Sequence, residues 1–237
     1  MFLHQHPYPP FIPATADKLI VGTLPPPRFS QGTLKPDDVD FCYGSRDGQL
    51  WLILGKIFNI DFQFENSQSA VKQRRNFLLE HHIGICDMVQ QCQRQKIDAS
   101  DLGMQQIVLR PLLQHLNDHP QIKTLLFTGG NSKNGPEYLF RQHLKSAGLS
   151  LTLIDNNIPR IHQFQWQNRT LTTVSLTAPS GAANRAVGAL AEYKALKAQN
   201  PDFSTIDFRV LQYRRFFKVN AVNKLTSFTY ADYEREY

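Results

Sequence analysis

Cysteine is scarce in this chain and long apolar runs are missing from it. The 237 residues include three cysteines, Cys42, Cys86 and Cys92, and no two are spaced as C-x-x-C. One copy therefore cannot assemble a four-cysteine zinc or iron–sulfur site. Each thiol sits beside apolar residues, so the three are expected to be buried and free, in a reducing compartment. The histidines show no metal-ligand spacing; His81-His82 is an adjacent pair whose rings diverge on a helix. No segment approaches the roughly 18 consecutive apolar residues of a spanning helix. Residues 1–13 carry histidines and prolines rather than a basic stretch followed by an apolar one. The expectation is a cytoplasmic protein with no membrane partner. G-x-G-x-x-G and P-loop patterns are also missing, which argues against dinucleotide and nucleoside-triphosphate sites. There is no block of like charge, no internal repeat and no low-complexity linker.

What is present is a 41% hydrophobic chain, enough for one sizeable core and a single domain over 1–237. The net charge of +6 permits contact with nucleic acid without establishing it. Basic residues gather at Lys72, Arg74 and Arg75, and again at Arg214, Arg215 and Lys218.

The most informative run is Leu19-Ile20-Val21-Gly22-Thr23-Leu24-Pro25-Pro26. It reads as a buried strand, over about 18–23, that ends in a polar, proline-stiffened loop. Leu125-Leu126-Phe127 entering Thr128-Gly129-Gly130-Asn131, and Val174-Ser175-Leu176 entering Thr177-Ala178-Pro179-Ser180-Gly181, repeat the pattern. Open α/β sheets bind ligands at the carboxyl ends of their strands, so three corners could converge on one site. A long loop over 25–47 precedes an apolar helix opened by Trp51. Helices are expected over 68–82 with Ser67 as N-cap, from Pro111 to 118, from Pro136 to Gly148, and over 182–198. Strands are expected at 122–127 and 149–154, with a hairpin 163–176 turning at Asn168-Arg169. Residues 95–103 read as polar loop, and the last 35 residues as a final helix and packed tail. Strands alternating with helices imply a mostly parallel sheet covered on both faces.

In chain order, Val21-Gly22-Thr23-Leu24-Pro25-Pro26, Tyr43-Gly44 with Trp51, Ile83 to Val89 with Cys92, Arg94, Asp98 and Ser100, Phe127-Thr128-Gly129, and Ala178 to Asn184 form an ordered set. This succession resembles the uracil-DNA glycosylase superfamily, most of all its hypoxanthine- and mismatch-glycosylase-like branches, over roughly 17–198 with 199–237 as an extension. The resemblance implies a three-layer α/β/α sandwich on a short central, mostly parallel sheet. It implies hydrolysis of the N-glycosidic bond of a flipped damaged or mismatched base, with no cofactor and no metal, by a monomer whose partner is DNA.

The same resemblance distributes roles. Gly22, Thr23, Leu24, Tyr43, Asp87 and Asn131 would line the base pocket. Pro25, Pro26, Pro179, Ser180, Gly181, Asn184 and Arg185 would meet the DNA backbone, helped by amides at the start of the helix near Ala182. Tyr43 is a stacking face for the base or a core aromatic. The best-known branch has an aspartate at the first corner and a histidine before the last Pro-Ser; here the first corner has no carboxylate and Ala178 holds the second place. The hypoxanthine-like branch has an asparagine where Gly48 stands, next to Asp47. Asp47 is thus either the group that handles water or a turn former in an Asp-Gly pair.

Asp87 stands where uracil-excising relatives have an asparagine. An ionised carboxylate only accepts hydrogen bonds, whereas an amide both donates and accepts. Asp87 would then favour a base edge bearing N–H groups, or it braces a following helix; burial could also leave it protonated. Asp98, Ser100 and Asp101 read as loop braces. The functional alternatives are a DNA glycosylase, a non-cutting DNA-binding module of the same fold, or an α/β enzyme acting on a free nucleoside or nucleotide.

Overall fold

The computed structural model describes residues 1–218. The part of the expected tail beyond residue 218 lies outside them. Strands are β1 Phe2–Gln5, β2 Lys18–Val21, β3 Ile83–Ile85, β4 Val89–Arg94, β5 Gln105–Leu109, β6 Thr124–Phe127, β7 Thr152–Asp155, β8 Arg160–Trp166 and β9 Arg169–Ser175. Helices are α1 Pro27–Ser30, α2 Leu50–Phe58, α3 Gln68–Glu80, α4 Leu112–Asp118, α5 Pro136–Ser146, α6 Asn184–Ala189, α7 Ala191–Gln199 and α8 Thr205–Phe217. The chain forms two compact units. The first contains Met1–Arg46 and Gln63–Ala178; the second contains Asp47–Phe62 and Pro179 onward.

The first unit is built on a six-stranded sheet of order β3-β2-β6-β9-β8-β7. The first four strands are mutually parallel, and β8 and β7 add antiparallel. This is the mixed α/β architecture with a mostly parallel central sheet that the sequence implies. Leu19, Ile20 and Val21 are all fully buried, so β2 is covered on both faces. On one face Leu19, Val21, Leu125 and Phe127 share a core with Leu112 and Leu116 of α4 and Leu139, Phe140 and Leu144 of α5. Phe140 joins the layers, its ring 5.2 Å from Phe127 and 5.3 Å from Phe164.

Local signals explain the element ends. The Ser67 hydroxyl accepts the Ala70 N–H and starts α3. Pro136 occupies the first turn of α5, where its missing N–H costs nothing. The β8–β9 turn falls on Gln167 and Asn168, both left-handed (φ 46° and 59°), one residue earlier than expected. Arg169 instead opens β9 and donates to the carbonyl of Leu116 at 2.7 Å.

Two expectations are corrected. A second, antiparallel sheet of order β1-β4-β5 forms from stretches to which no strand was assigned, with β4 and β5 on either side of the polar loop at 95–103. The helix expected over 182–198 is two, α6 and α7, divided at Leu190, which is extended at φ −65°, ψ 138°. Gly188 weakens the helix just before the break, and Leu190 packs against the buried Val187, Phe203, Phe208 and Leu211. Within the basic cluster at 72–75, Arg74 is fully buried and donates to the carbonyls of Gln63 and Ala70.

In the second unit α2 packs on α8. Trp51 meets Phe62 edge-on at 5.1 Å, and α8 begins with a reciprocal Ser204–Asp207 capping box.

Candidate functional site

Chain direction across the sheet reverses beside β2. The path leaves β2 for β3 on one side, then crosses back to place β6 on the other. The carboxyl ends of β2 and β6 flank this switch point, where open α/β sheets accommodate ligands. Val21 pairs with Phe127, so Gly22 and Thr128 emerge side by side, tied by the Thr128 N–H to the Val21 carbonyl at 3.0 Å.

The first corner is held by backbone bonds. Cys86, Met88 and Val89 N–H donate to the carbonyls of Ile20, Gly22 and Thr23 at 3.0, 2.9 and 3.1 Å. The chain past β3 therefore runs alongside the corner and carries Asp87 to it. Asp87 Oδ1 accepts the Gly22 N–H at 3.0 Å, and Oδ2 lies 2.8 Å from His6 Nε2. His6 Nδ1 accepts the Tyr8 N–H at 3.1 Å, which leaves the ring hydrogen on Nε2, aimed at the carboxylate. Burial works to raise the Asp87 pKa. The His6 ring, the nearby Arg110 guanidinium and the Gly22 N–H outweigh it and hold the group below its ordinary 3.8. The protonated alternative for Asp87 is thus corrected. The next element along the chain is β4, so Asp87 braces a strand corner rather than a helix.

Gly22 has a steric reason to be glycine. A Cβ there would sit 2.2 Å from the Tyr43 hydroxyl and 2.7 Å from Asp87 Oδ1. Tyr43 is half-buried and left-handed (φ 57°), a conformation that costs an aromatic residue about 1 kcal/mol. Its hydroxyl bonds Thr128 Oγ1 at 3.0 Å. Gly22, Thr23, Tyr43, Asp87 and Thr128 are brought together in this way. The Thr23 hydroxyl donates to Asp101 at 2.7 Å, and burial raises the Asp101 pKa to about 6. Leu24 is buried in the core, and Asn131 is exposed on the second corner.

The loop after this corner is ordered by charge. Asp38 is fully buried and accepts from Arg28 Nε at 2.7 Å, Arg28 Nη2 at 2.8 Å, and the Lys35 and Arg46 N–H groups at 2.8 Å each. Burial opposes its charge, but these donors hold its pKa below the ordinary 3.8. Pro25 and Pro26 are half-buried and lead into α1, whose first residue is Pro27. Asp98 caps the Ser100 N–H at 3.0 Å, and Arg94 donates to the Ser100 carbonyl at 2.7 Å, the loop bracing expected of them.

In the second unit, the Gln49 N–H donates to the Pro179 carbonyl at 2.8 Å, and Gly48 bridges Ser180. Arg209, fully buried on α8, donates to Gln49 Oε1, Asn184 Oδ1 and the Ser180 carbonyl at 3.1, 2.8 and 3.2 Å. Gly181 and Arg185 are exposed, as is Asp47 in the turn before Gly48. The helix expected near Ala182 begins at Asn184 and spans six residues.

A separate cavity of about 620 Å³ in the first unit is lined by Tyr8, Phe29, Asp40 and Arg75 among others. Sequence reasoning missed His6, Arg110 and Asp38, and it placed Thr128 in the second corner without giving it a role. His6 lies 81 residues from its partner and ahead of the stretch that carries the resemblance. Among the described residues, no group of three or more His, Cys, Asp or Glu could hold a metal ion, and no helix is long and apolar enough to cross a membrane.

No family model matches the chain, and no curated protein matches it. The fold is similar to the solution NMR structure of a Methanosarcina acetivorans protein provisionally designated a uracil DNA glycosylase. The likeness covers 92% of this chain and 98% of that one, at 14% identity and a TM-score of 0.54. At that identity the similarity is one of fold.

Proposed function

We propose that this protein acts on DNA as a monofunctional glycosylase of uracil-DNA-glycosylase type. The observation that carries the reading is the convergence of Gly22, Thr128, Tyr43 and an ionised Asp87 at the switch point of the sheet. The provisional designation of the structural neighbour supports it. In the proposed reaction a target base leaves the stack and enters this corner, where Tyr43 offers a ring and Asp87 an acceptor. Water bonds to the sugar C1′ as the C1′–N bond breaks; the electron pair and a proton pass to the base, leaving an abasic site. Asp47 retains the proposed role of orienting or deprotonating that water. Pro25, Pro26 and the 179–185 turn, whose Gly181 and Arg185 are exposed, are the proposed backbone contacts. A fixed polar corner lowers the barrier by electrostatic preorganisation even without a strong base.

A second reading, a non-cutting module that binds extruded bases, is favoured by one observation: both oxygens of Asp87 already accept protein donors. The test is a panel of duplex and single-stranded oligonucleotides bearing uracil, hypoxanthine, xanthine or mismatched thymine, with alkali revealing abasic sites. Strand scission at one base, lost in Asp47→Ala or Asp87→Ala variants that still fold, supports the glycosylase. Salt-sensitive binding without scission supports the module. Absence of DNA binding refutes both and leaves a nucleoside or nucleotide enzyme.

A further inference from the structure

The hydrogens around Asp87 point inward from both sides. On one side is the Gly22 N–H, on the other His6 Nε2–H, whose position is fixed because the Tyr8 N–H occupies Nδ1. All of these groups lie in the buried wall of the switch-point corner, and the Asp87 side chain keeps 7% exposure. A carboxylate satisfies both donors and keeps a further acceptor site on each oxygen. An amide of the same shape cannot. If its oxygen faces His6, its NH2 meets the Gly22 N–H. If it is turned over, its NH2 meets His6 Nε2; shifting the ring hydrogen to Nδ1 then sets that hydrogen against the Tyr8 N–H. Either orientation leaves one buried donor facing another.

We infer that His6 is the positioning residue that locks position 87 as an acceptor-only carboxylate, and that it thereby decides which base edge the corner accepts. The structural half of this inference stands on the hydrogen-bond geometry alone; the choice of base edge rests on the glycosylase reading. A base edge rich in N–H groups is matched by this wall, and a carbonyl edge is repelled. The lock also has a specific release. Glutamate at position 6 presents two acceptors, one for the Tyr8 N–H and one for an amide at position 87, whose own oxygen then takes the Gly22 N–H. The second amide hydrogen is left to serve a ligand.

The experiment is a double-substitution cycle on the full chain with His6→Glu, Asp87→Asn and both together. Folding equilibria come from urea titration, and base-release rates from uracil- and cytosine-bearing oligonucleotides, which differ by a carbonyl against an NH2 on the same edge. Asp87→Asn alone is expected to weaken folding about tenfold or more, from one buried donor–donor clash. His6→Glu alone should cost about tenfold or more, because two carboxylates then face each other. The double variant should be about tenfold more stable than the product of the two single effects predicts. It alone should shift the uracil-to-cytosine rate ratio toward uracil, a readout that mere packing would not move. Multiplicative stability effects overturn the lock. Coupling with an unchanged rate ratio overturns the specificity role. Coupling intact but no base released by any variant overturns the glycosylase reading and upholds the lock.

Discussion

Two corners of this protein solve the same mechanical problem with opposite charge. The Gly22–Pro26 corner and the loop behind it are held by buried carboxylates, Asp87 and Asp38, that gather N–H donors. The 179–184 turn is held by a buried guanidinium, Arg209, that gathers oxygens. Their glycines differ as well. A Cβ on Gly22 collides with Tyr43 and Asp87, whereas one on Gly181 meets nothing within 4 Å. Gly22 is explained from within the fold. Gly181 has no such internal explanation, which suits a loop tip that something outside the fold approaches closely.

The sharpest way to break this contrast is to remove an anion. Asp38→Ala removes the acceptor shared by Arg28 and two N–H groups and should cost about 3 kcal/mol in urea unfolding. Gly22→Ala comes second at about 2 kcal/mol, since the Tyr43 hydroxyl must give way. Gly181→Ala should lie within about 0.5 kcal/mol of the parent and, on the proposed function, weaken DNA binding instead. Equal stability losses at the two glycines would erase the distinction.

Acid should separate the corners next. Asp38 and Asp87 have pKa values depressed below the ordinary 3.8, so their stabilisation is complete above it and is lost as pH falls through the lowered values. Arg209, although burial lowers its pKa, has no such transition in acid. Hydrogen exchange below about pH 4 should therefore open residues 22–46 before 179–184. Asp101 contributes the smallest effect and the opposite sign. Its pKa is raised to about 6, so its contribution is full below 3.8 and is lost as pH climbs through about 6. Asp101→Asn should flatten the stability profile over that window by no more than about 1 kcal/mol, because the group keeps some exposure to solvent.

The carboxyl-edge corners were legible because apolar runs such as Leu19-Ile20-Val21 end abruptly in Gly, Thr and Pro. Adjacent parallel strands then bring the first two together without further information. The second sheet was not legible: β4 reads Val-Gln-Gln-Cys-Gln-Arg and β5 begins Gln-Gln, so polar residues hide the alternation. His6 and Arg110 were missed because only tertiary folding brings them to Asp87 or its neighbours. Asp38 was hidden in a loop that sequence alone marks as functional or disordered, and four hydrogen bonds make it ordered.

The central claim is that the switch-point corner is where a ligand binds. Hydrogen exchange of the full chain with and without a lesion-bearing duplex tests it directly. The account expects new protection at 22–24, 41–45 and 86–89. Protection confined to the walls of the Tyr8–Phe29 cavity, with those three stretches unchanged, would contradict it.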